Sequence, residues 1–154
     1  MLFLQFQLGT DRYVIDAGEV VEILPLLDIK RIPQAPAGVV GVFNYRGSPA
    51  PVIDLSELTL GRPAQLRMST RMIMVRYPDG DGARHLLGLI AEKTTDAVRL
   101  DRSDFTDSGV TNDGTPYLGP VAPGSNGMVQ WIEATRLLPA SVRDVLFRAP
   151  LEQQ

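Results

Sequence analysis

Glycine and proline interrupt this chain so often that every regular element must be short. The sequence contains 14 glycines and 12 prolines in 154 residues. Between them lie runs in which apolar and polar residues alternate, such as "LFLQFQL" at residues 2–8, and this period is typical of strands. The pattern predicts about ten strands, two short helical turns and one final helix. The sequence pattern therefore indicates an all-β fold and leaves open a sandwich or two five-stranded barrels.

Local signals predict where the helices begin and end. Asp54 precedes "LSELTL" and Gly61 follows it, so Asp54 is expected to cap a short helix that stops at Gly61. Ser141 is the expected N-cap of the final helix, whose buried face would carry Val142, Val145 and Leu146. Trp131 is expected in the core, where it would seal the last strand against that helix.

Composition excludes several classes of protein. The net charge is −3, and the 15 basic residues are scattered, which argues against nucleic acid as a partner. The chain has no cysteine, so disulfides and thiolate metal sites are excluded. The opening "MLFLQFQLG" lacks the charged start of a signal peptide, and no apolar run approaches the roughly 18 residues of a membrane span. We expect a cytoplasmic protein.

The sequence offers little from which to build a catalytic or metal site. His85 is the only histidine, and it lies in an alternating strand without a second ligand at metal-binding spacing. The carboxylates occur singly, and no glycine-rich nucleotide motif or serine nucleophile motif is present. We predict no cofactor and no enzyme activity, with a hydrolase whose site escapes detection as the remote alternative.

The segment "VVEIL" at residues 20–24 is a candidate docking edge. Alternation would place Val21 and Ile23 on one side of a strand and Val20, Glu22 and Leu24 on the other. If Val21 and Ile23 enter the core, Val20 and Leu24 form an exposed apolar patch around one directing charge. An ordinary half-buried strand with a solvated acid fits the same pattern.

A second candidate is the turn inside "VVGVFNYRGSPAPVIDL", residues 39–55, where two apolar runs meet at Arg46-Gly47. Gly47 suits a two-residue hairpin turn, because it adopts dihedral angles that other residues avoid. The arginine offers a planar fork of donors suited to a carboxylate or to helix carbonyls. From the residues alone, Arg46 could be solvated, bind a partner, or pair with a carboxylate of its own fold and hold two barrels in register.

The chain resembles the CheW-like adaptor domain of bacterial chemosensory systems over nearly its whole length. Five segments carry the resemblance, and the second of them, with its N-x-R-G element, is the most specific: "FQLGTDRYVIDAGEVVEIL", "IPQAPAGVVGVFNYRGSPAPVIDL", "HLLGLIAEKTTDAVRL", "TPYLGPVA" and "GMVQWIEATRLL". The resemblance implies two intertwined five-stranded barrel subdomains with short helical turns and a C-terminal helix. One such domain would cover residues 1–150, followed by a frayed tail at 151–154.

The resemblance also implies a function and its partners. The protein would be a non-catalytic scaffold that couples the cytoplasmic tips of methyl-accepting chemoreceptors to the regulatory domain of a CheA-type histidine kinase. It would be recruited to membrane-associated receptor arrays without entering the membrane, and would serve flagellar chemotaxis or a dedicated surface-sensing or biofilm pathway. The alternative is a barrel that binds a small ligand in the groove between subdomains.

Site residues follow from the same resemblance. The implied kinase-binding residues are Val20, Glu22, Ile23, Leu24 and Gly41. The implied receptor-binding residues are Asn44, Tyr45, Arg46 and Gly47.

Three features depart from the family pattern. Tyr45 stands where the family has leucine or valine, and Glu92 stands where it has aspartate. The segment 101–117 is polar, rich in glycine and hard to align.

Overall fold

The computed structural model describes residues 1–26, 28–78, 81–110 and 113–147, without the side chain of residue 95. Its regular elements comprise ten strands and two α-helices: β1 Leu2–Leu8, β2 Asp11–Asp16, β3 Val20–Pro25, β4 Lys30–Arg31, β5 Val39–Tyr45, β6 Ser48–Asp54, α1 Leu55–Leu60, β7 Arg71–Pro78, β8 Arg84–Arg99, β9 Leu118–Gly124, β10 Gly127–Ile132 and α2 Ala140–Leu146. Among these residues, neither helix has the length and apolar character that crossing a membrane requires. The all-β prediction is confirmed.

Two sheets meet in one long strand, β8. The C-terminal part of β8 pairs with β1, and the first sheet continues through β2, β10 and β9. The N-terminal part of β8 lies between β7 and β6, and the second sheet extends to β3 on one side and to β5 and β4 on the other. Closure of each sheet into a barrel stays a prediction.

The predicted number of strands is right, but two assignments differ. The runs "RHLLGLIAE" at residues 84–92 and "TTDAVRL" at residues 94–100 predict two strands, whereas the structure has the single strand β8 of 16 residues. Lys93 interrupts its regularity with a φ of 46°, close to the point where β8 leaves one sheet for the other. The two-residue strand β4 was not predicted, because two exposed basic residues carry no alternating signal.

The main core lies between the two sheets. It combines side chains from both: Leu4, Phe6, Leu8, Tyr13, Ile15, Ile53, Leu55, Ile73, Val75, Tyr77, Leu87 and Leu89. Because strand side chains alternate, the intervening residues of β7, Met72 and Met74, enter a second cluster with Phe43 and Tyr45. The core thus makes the two sheets one packed unit.

A third cluster corrects the prediction for Trp131. This side chain is half-buried and packs at 82° against Phe3, with the ring centroids 4.9 Å apart, and against Phe105 at 5.1 Å. It therefore covers the outer side of the first sheet and not the final helix. That helix instead packs against the main core through Val142 and Leu146.

The helix predictions are partly confirmed. Asp54 caps α1 by accepting from the amides of Ser56 and Glu57, and Gly61 ends it with a φ of 76°. The predicted cap at Ser141 is wrong, since α2 begins at Ala140 after Pro139, which has no side-chain donor or acceptor. Val145 does not share the buried face, because 54% of it is exposed. The tail at 151–154 lies outside the described residues.

Candidate protein-docking site

The turn between β5 and β6 has the two-residue geometry expected from Arg46-Gly47. Tyr45 pairs with Ser48, and both turn residues have positive φ, 52° at Arg46 and 90° at Gly47. Such turns match the right-handed twist of the strands that they join. The Asn44 Oδ1 accepts from the Gly47 amide at 2.8 Å and fixes the turn from the inside. The left-handed conformation of Arg46 is strained for a residue with a Cβ.

A β-bulge in β3 overturns the simple alternation predicted for residues 20–24. Val20 pairs with Val75 but Glu22 pairs with Met74, so Val21 is an extra residue in the ladder. In this register Ile23 lies opposite the buried Ile73 but is itself 44% exposed, so the condition that Ile23 enters the core is not met. Val20 is half-buried against the main core, and Leu24 packs against the second cluster. Ile23 is therefore the exposed aliphatic residue beside Glu22.

Glu22 joins β3 to the hairpin turn. Its Oε1 accepts two hydrogen bonds, from the Tyr45 hydroxyl at 2.6 Å and from Arg46 Nη2 at 2.9 Å. The guanidinium also lies over the Tyr45 ring, with its carbon 5.1 Å from the ring centroid. Each of the three side chains thus touches the other two, and we call this group the Glu22 cluster.

The Glu22 cluster answers part of the question that Arg46 raised. Arg46 pairs with a carboxylate of its own fold, as one of the alternatives foresaw. Both partners belong to the second sheet, however, so the ion pair does not hold the two sheets in register. The Arg46 side chain remains 73% exposed and the Glu22 side chain 35% exposed, which leaves donors of Arg46 available at the surface.

The carboxylate also changes the acidity of its neighbour. The hydrogen bond to Glu22 raises the pKa of Tyr45 above its usual 10.0, and burial raises it further. Tyr45 therefore stays a hydroxyl donor at neutral pH. A leucine or valine at position 45 could not make this bond, so the departure from the family pattern adds a contact.

Gly41 has a packing role in this region. It is buried on β5, and a Cβ there would lie 2.0 Å from the carbonyl oxygen of Lys30 on β4. Only glycine allows β4 to approach so closely. Gly41 thus positions the short outer strand beside the hairpin.

A shallow cavity of about 380 Å³ lies beside the turn, and its lining includes none of the Glu22 cluster residues. It is lined by Asp28, Lys30, Val42, Phe43, Asn44, Gly47 and Pro49. Of these, the sequence analysis identified Asn44 and Gly47. The lining residues before β5 carried no signal, since β4 itself was not predicted.

The site consists of surface side chains suited to recognition. In the described ranges, no three histidine or acidic side chains converge as a metal site would require. His85 lies elsewhere, on β8, and its ring stacks on Phe147 with the centroids 4.5 Å apart. The arrangement offers an ion pair, a phenol and an exposed aliphatic side chain, which are typical contacts of protein interfaces.

Comparisons with known proteins agree with the resemblance. The family model described as "CheW-like domain" matches residues 2–142. A chemotaxis protein CheW from Helicobacter pylori is 32% identical over 104 residues, which are 67% of this chain and 59% of that protein. The chain thus spans less than two thirds of that relative.

Two further comparisons cover more of the chain. The chemotaxis protein CheW from Treponema pallidum is 29% identical over 80% of this chain and 74% of its own length. Among solved structures, the scaffolding protein TtCheW from Thermoanaerobacter tengcongensis superposes with a TM-score of 0.78 at 22% identity, over 92% of this chain and 89% of that one. At that identity the superposition shows a common fold.

Proposed function

Because the chain belongs to the CheW-like domain family, we propose that it is a chemotaxis scaffold that couples chemoreceptor tips to a CheA-type histidine kinase. Proteins of this family are non-catalytic adaptors, so the activity is binding alone. The observation that carries the proposal is the Glu22 cluster, because it fastens a candidate kinase-binding strand to a candidate receptor-binding turn.

The kinase surface is proposed at β3 and its surroundings, with Val20, Glu22, Ile23, Leu24 and Gly41. Ile23 is the side chain with the most apolar area to bury in a complex, since 44% of it is exposed. Gly41 is buried and would act indirectly, by positioning β4. Val20 and Leu24 would support the strand through their core contacts.

The receptor surface is proposed at Asn44, Tyr45, Arg46 and Gly47. One guanidinium nitrogen of Arg46 donates to Glu22. The other N–H groups of this exposed guanidinium can donate to a carboxylate or to the carbonyls at a helix end. Asn44 and Gly47 hold the turn in the geometry that presents it. A receptor that displaced Arg46 would also disturb Glu22, which gives the two surfaces a physical means of coupling.

The kinase surface is tested by isothermal titration with the regulatory domain of a CheA-type kinase. Full burial of an Ile side chain is worth about 1.5–3 kcal/mol, and 44% of Ile23 is exposed before docking, so Ile23→Ser is expected to weaken docking by about three- to ninefold. Val145→Ser, at an exposed aliphatic residue of α2, is the matched control and should leave the affinity unchanged. Equal affinities for all three proteins would contradict the proposed kinase surface.

The receptor surface is tested by co-sedimentation with a receptor cytoplasmic fragment. Arg46→Glu should abolish binding while the protein stays folded. The double exchange Glu22→Arg with Arg46→Glu restores an internal ion pair but presents the opposite charge to the receptor. If the double variant regains binding, Arg46 acts as an internal brace; if it does not, Arg46 contacts the receptor directly.

We propose that the protein works in the cytoplasm at membrane-associated receptor arrays. Flagellar chemotaxis and a dedicated surface-sensing pathway use the same binding chemistry, and the motility and biofilm phenotypes of a deletion strain would separate them.

A further inference from the structure

The segment 61–70, between α1 and β7, displays an unusual set of side chains. Leu66 is 71% exposed and Met68 is 94% exposed, far more than most apolar residues of this protein. Arg62 and Arg67 accompany them on the same segment, and both are exposed. The segment therefore presents apolar and cationic groups together, in a chain whose net charge is −3.

Buried polar groups hold the backbone of this segment at three points. Asp54 Oδ2 accepts from the Ala64 amide at 2.9 Å, and Glu92 Oε2 accepts from the Gln65 amide at 2.9 Å. The Thr70 hydroxyl donates to the Gln65 carbonyl and accepts from the Arg67 amide. Asp54, Glu92 and Thr70 are all more than nine-tenths buried. The fold thus fixes the backbone while the side chains point outward, which lowers the entropy cost of binding.

A pocket adjoins the segment and adds a third cation. Its volume is about 220 Å³, and its walls include Thr10, Arg62, Arg67, Ser69 and Lys93. The Arg62 guanidinium lies against the turn between β1 and β2, since a Cβ on Gly9 would be 2.9 Å from its Nη2. The pocket is therefore formed where the first sheet meets the segment before β7.

The charge of this pocket is not neutralised internally. Throughout the part of the chain that the structure describes, no carboxylate lies within 4.0 Å of the charged groups of Arg62, Arg67 or Lys93. Glu92 is the one acid in the pocket wall, and both of its oxygens accept from backbone amides, those of Gly9 and Gln65. The pocket wall therefore carries three cationic side chains and one carboxylate, which leaves an excess of positive charge.

We propose that Arg62, Arg67, Lys93, Leu66 and Met68 form a second docking surface, for an acidic segment of a partner protein that also carries apolar side chains. The three cations select carboxylates by charge complementarity. The two protruding apolar side chains select a protein over a simple anion, because they gain only by burial. The surface lies at the opposite end of β6 from Arg46, about 20 Å away at the rise of a strand, so a partner can occupy it independently of the hairpin.

The test uses the full chain and two synthetic probe peptides. One is a 15-residue amphipathic peptide of glutamate and leucine, and its twin has lysine in place of glutamate. Fluorescence anisotropy should detect binding of the acidic peptide and no binding of its lysine twin. Raising the salt from 50 to 300 mM should weaken it several-fold, as expected for a contact dominated by exposed charges.

Variants locate the binding. The pair Arg62→Ser with Arg67→Ser is expected to weaken it at least tenfold, and Met68→Ser about threefold. Arg99→Ser, an exposed arginine on β8, is the matched control and should have no effect. Because all these side chains are exposed, circular dichroism should show every variant folded.

Four results would overturn the proposal. The first is the absence of binding by the acidic peptide, or binding that the variants do not change. The second is equally tight binding of inorganic phosphate that depends on the same arginines, which would indicate a small-anion site. The third is preferential binding of phosphatidylglycerol vesicles. The fourth is a dimer in light scattering that Met68→Ser abolishes. Kinase and receptor binding by the same variants is scored separately, so failure here leaves the hairpin proposal standing.

Discussion

The hairpin turn at Arg46 and the segment 61–70 both present arginine at the surface, but they hold it in opposite ways. At the hairpin the backbone is strained and the cation is paired with Glu22. At the segment 61–70, the carboxylates of Asp54 and Glu92 accept hydrogen bonds from backbone amides of the segment. Among the described residues, Arg62 and Arg67 have no carboxylate within ion-pair distance.

This difference indicates where stability and recognition reside. A half-exposed ion pair is worth at most about 1 kcal/mol, so the Glu22 cluster can be disturbed by a partner at little cost. Buried carboxylates that satisfy backbone amides are worth more, because removing them leaves unpaired donors. We therefore expect substitutions of the buried acids beneath the segment 61–70 to lower the free energy of unfolding more than substitutions in the Glu22 cluster do.

The largest effect is expected from Asp54→Ala. It removes the cap of α1 and leaves the Ala64 amide without its acceptor, which together should cost about 2–4 kcal/mol of unfolding free energy. Urea denaturation measures this. Asp54→Asn keeps one capping oxygen and should lose about half as much. An unfolding free energy of Asp54→Ala within about 0.5 kcal/mol of the unaltered protein lies in the range of an ordinary surface substitution. It would show that the buried acids stabilise the protein no more than the hairpin ion pair does.

Gly47→Ala and Gly61→Ala sharpen the comparison with one change in each region. Both glycines have positive φ, and a Cβ at either position meets open space. Each substitution should therefore cost only backbone strain, about 1–2 kcal/mol by urea denaturation. The two should differ in function, since Gly47→Ala alters the proposed receptor turn. Equal receptor binding by both variants would show that the geometry of the turn is unimportant.

A double-mutant cycle between Glu22 and Arg46 should give a small coupling energy. The variants Glu22→Gln, Arg46→Ser and their combination are expected to yield a coupling energy of about 0.2–1 kcal/mol, and less at high salt. Thermal or urea denaturation of the four proteins provides it. A coupling above about 2 kcal/mol would place the ion pair among the contacts that hold the fold together.

The smallest effect is expected from the Tyr45 hydroxyl. Its pKa is raised in the folded state, so the folded protein holds this proton more tightly than the unfolded chain does. The contribution is complete below pH 10 and is lost as the pH rises through the folded pKa. Other tyrosines titrate there too, so the informative quantity is the difference from Tyr45→Phe. If that difference is constant between pH 8 and 11, the hydroxyl does not titrate as inferred.

The sequence contained much of the fold because strand signals are local. Alternation identified β1, and Asp54 and Gly61 marked both ends of α1. A bulge is not local, since the extra residue at Val21 becomes visible only against its partner strand, and this is why the simple alternation predicted for residues 20–24 fails. The start of α2 was misplaced for a similar reason, because Pro139 begins it without a capping side chain.

Two of the three departures from the family pattern, Tyr45 and Glu92, have a physical explanation in the structure. Tyr45 adds a hydroxyl that reaches Glu22. Glu92, one methylene longer than aspartate, spans from the Gly9 amide to the Gln65 amide. The sequence showed that these two positions were unusual, but their partners are distant along the chain. Glu22 lies 23 residues from Tyr45, and Gly9 and Gln65 lie 83 and 27 residues from Glu92. Contacts at such separation cannot be read from one sequence.

The long strand β8 has a consequence for how such a domain can evolve. Each sheet depends on a different stretch of the same continuous backbone, so neither can be excised or exchanged between relatives without breaking the other. Deleting either stretch of β8 would leave the strands that pair with it exposed at their edges. We therefore expect substitutions at the turns, which leave this shared strand intact, to be the tolerated route to new specificity.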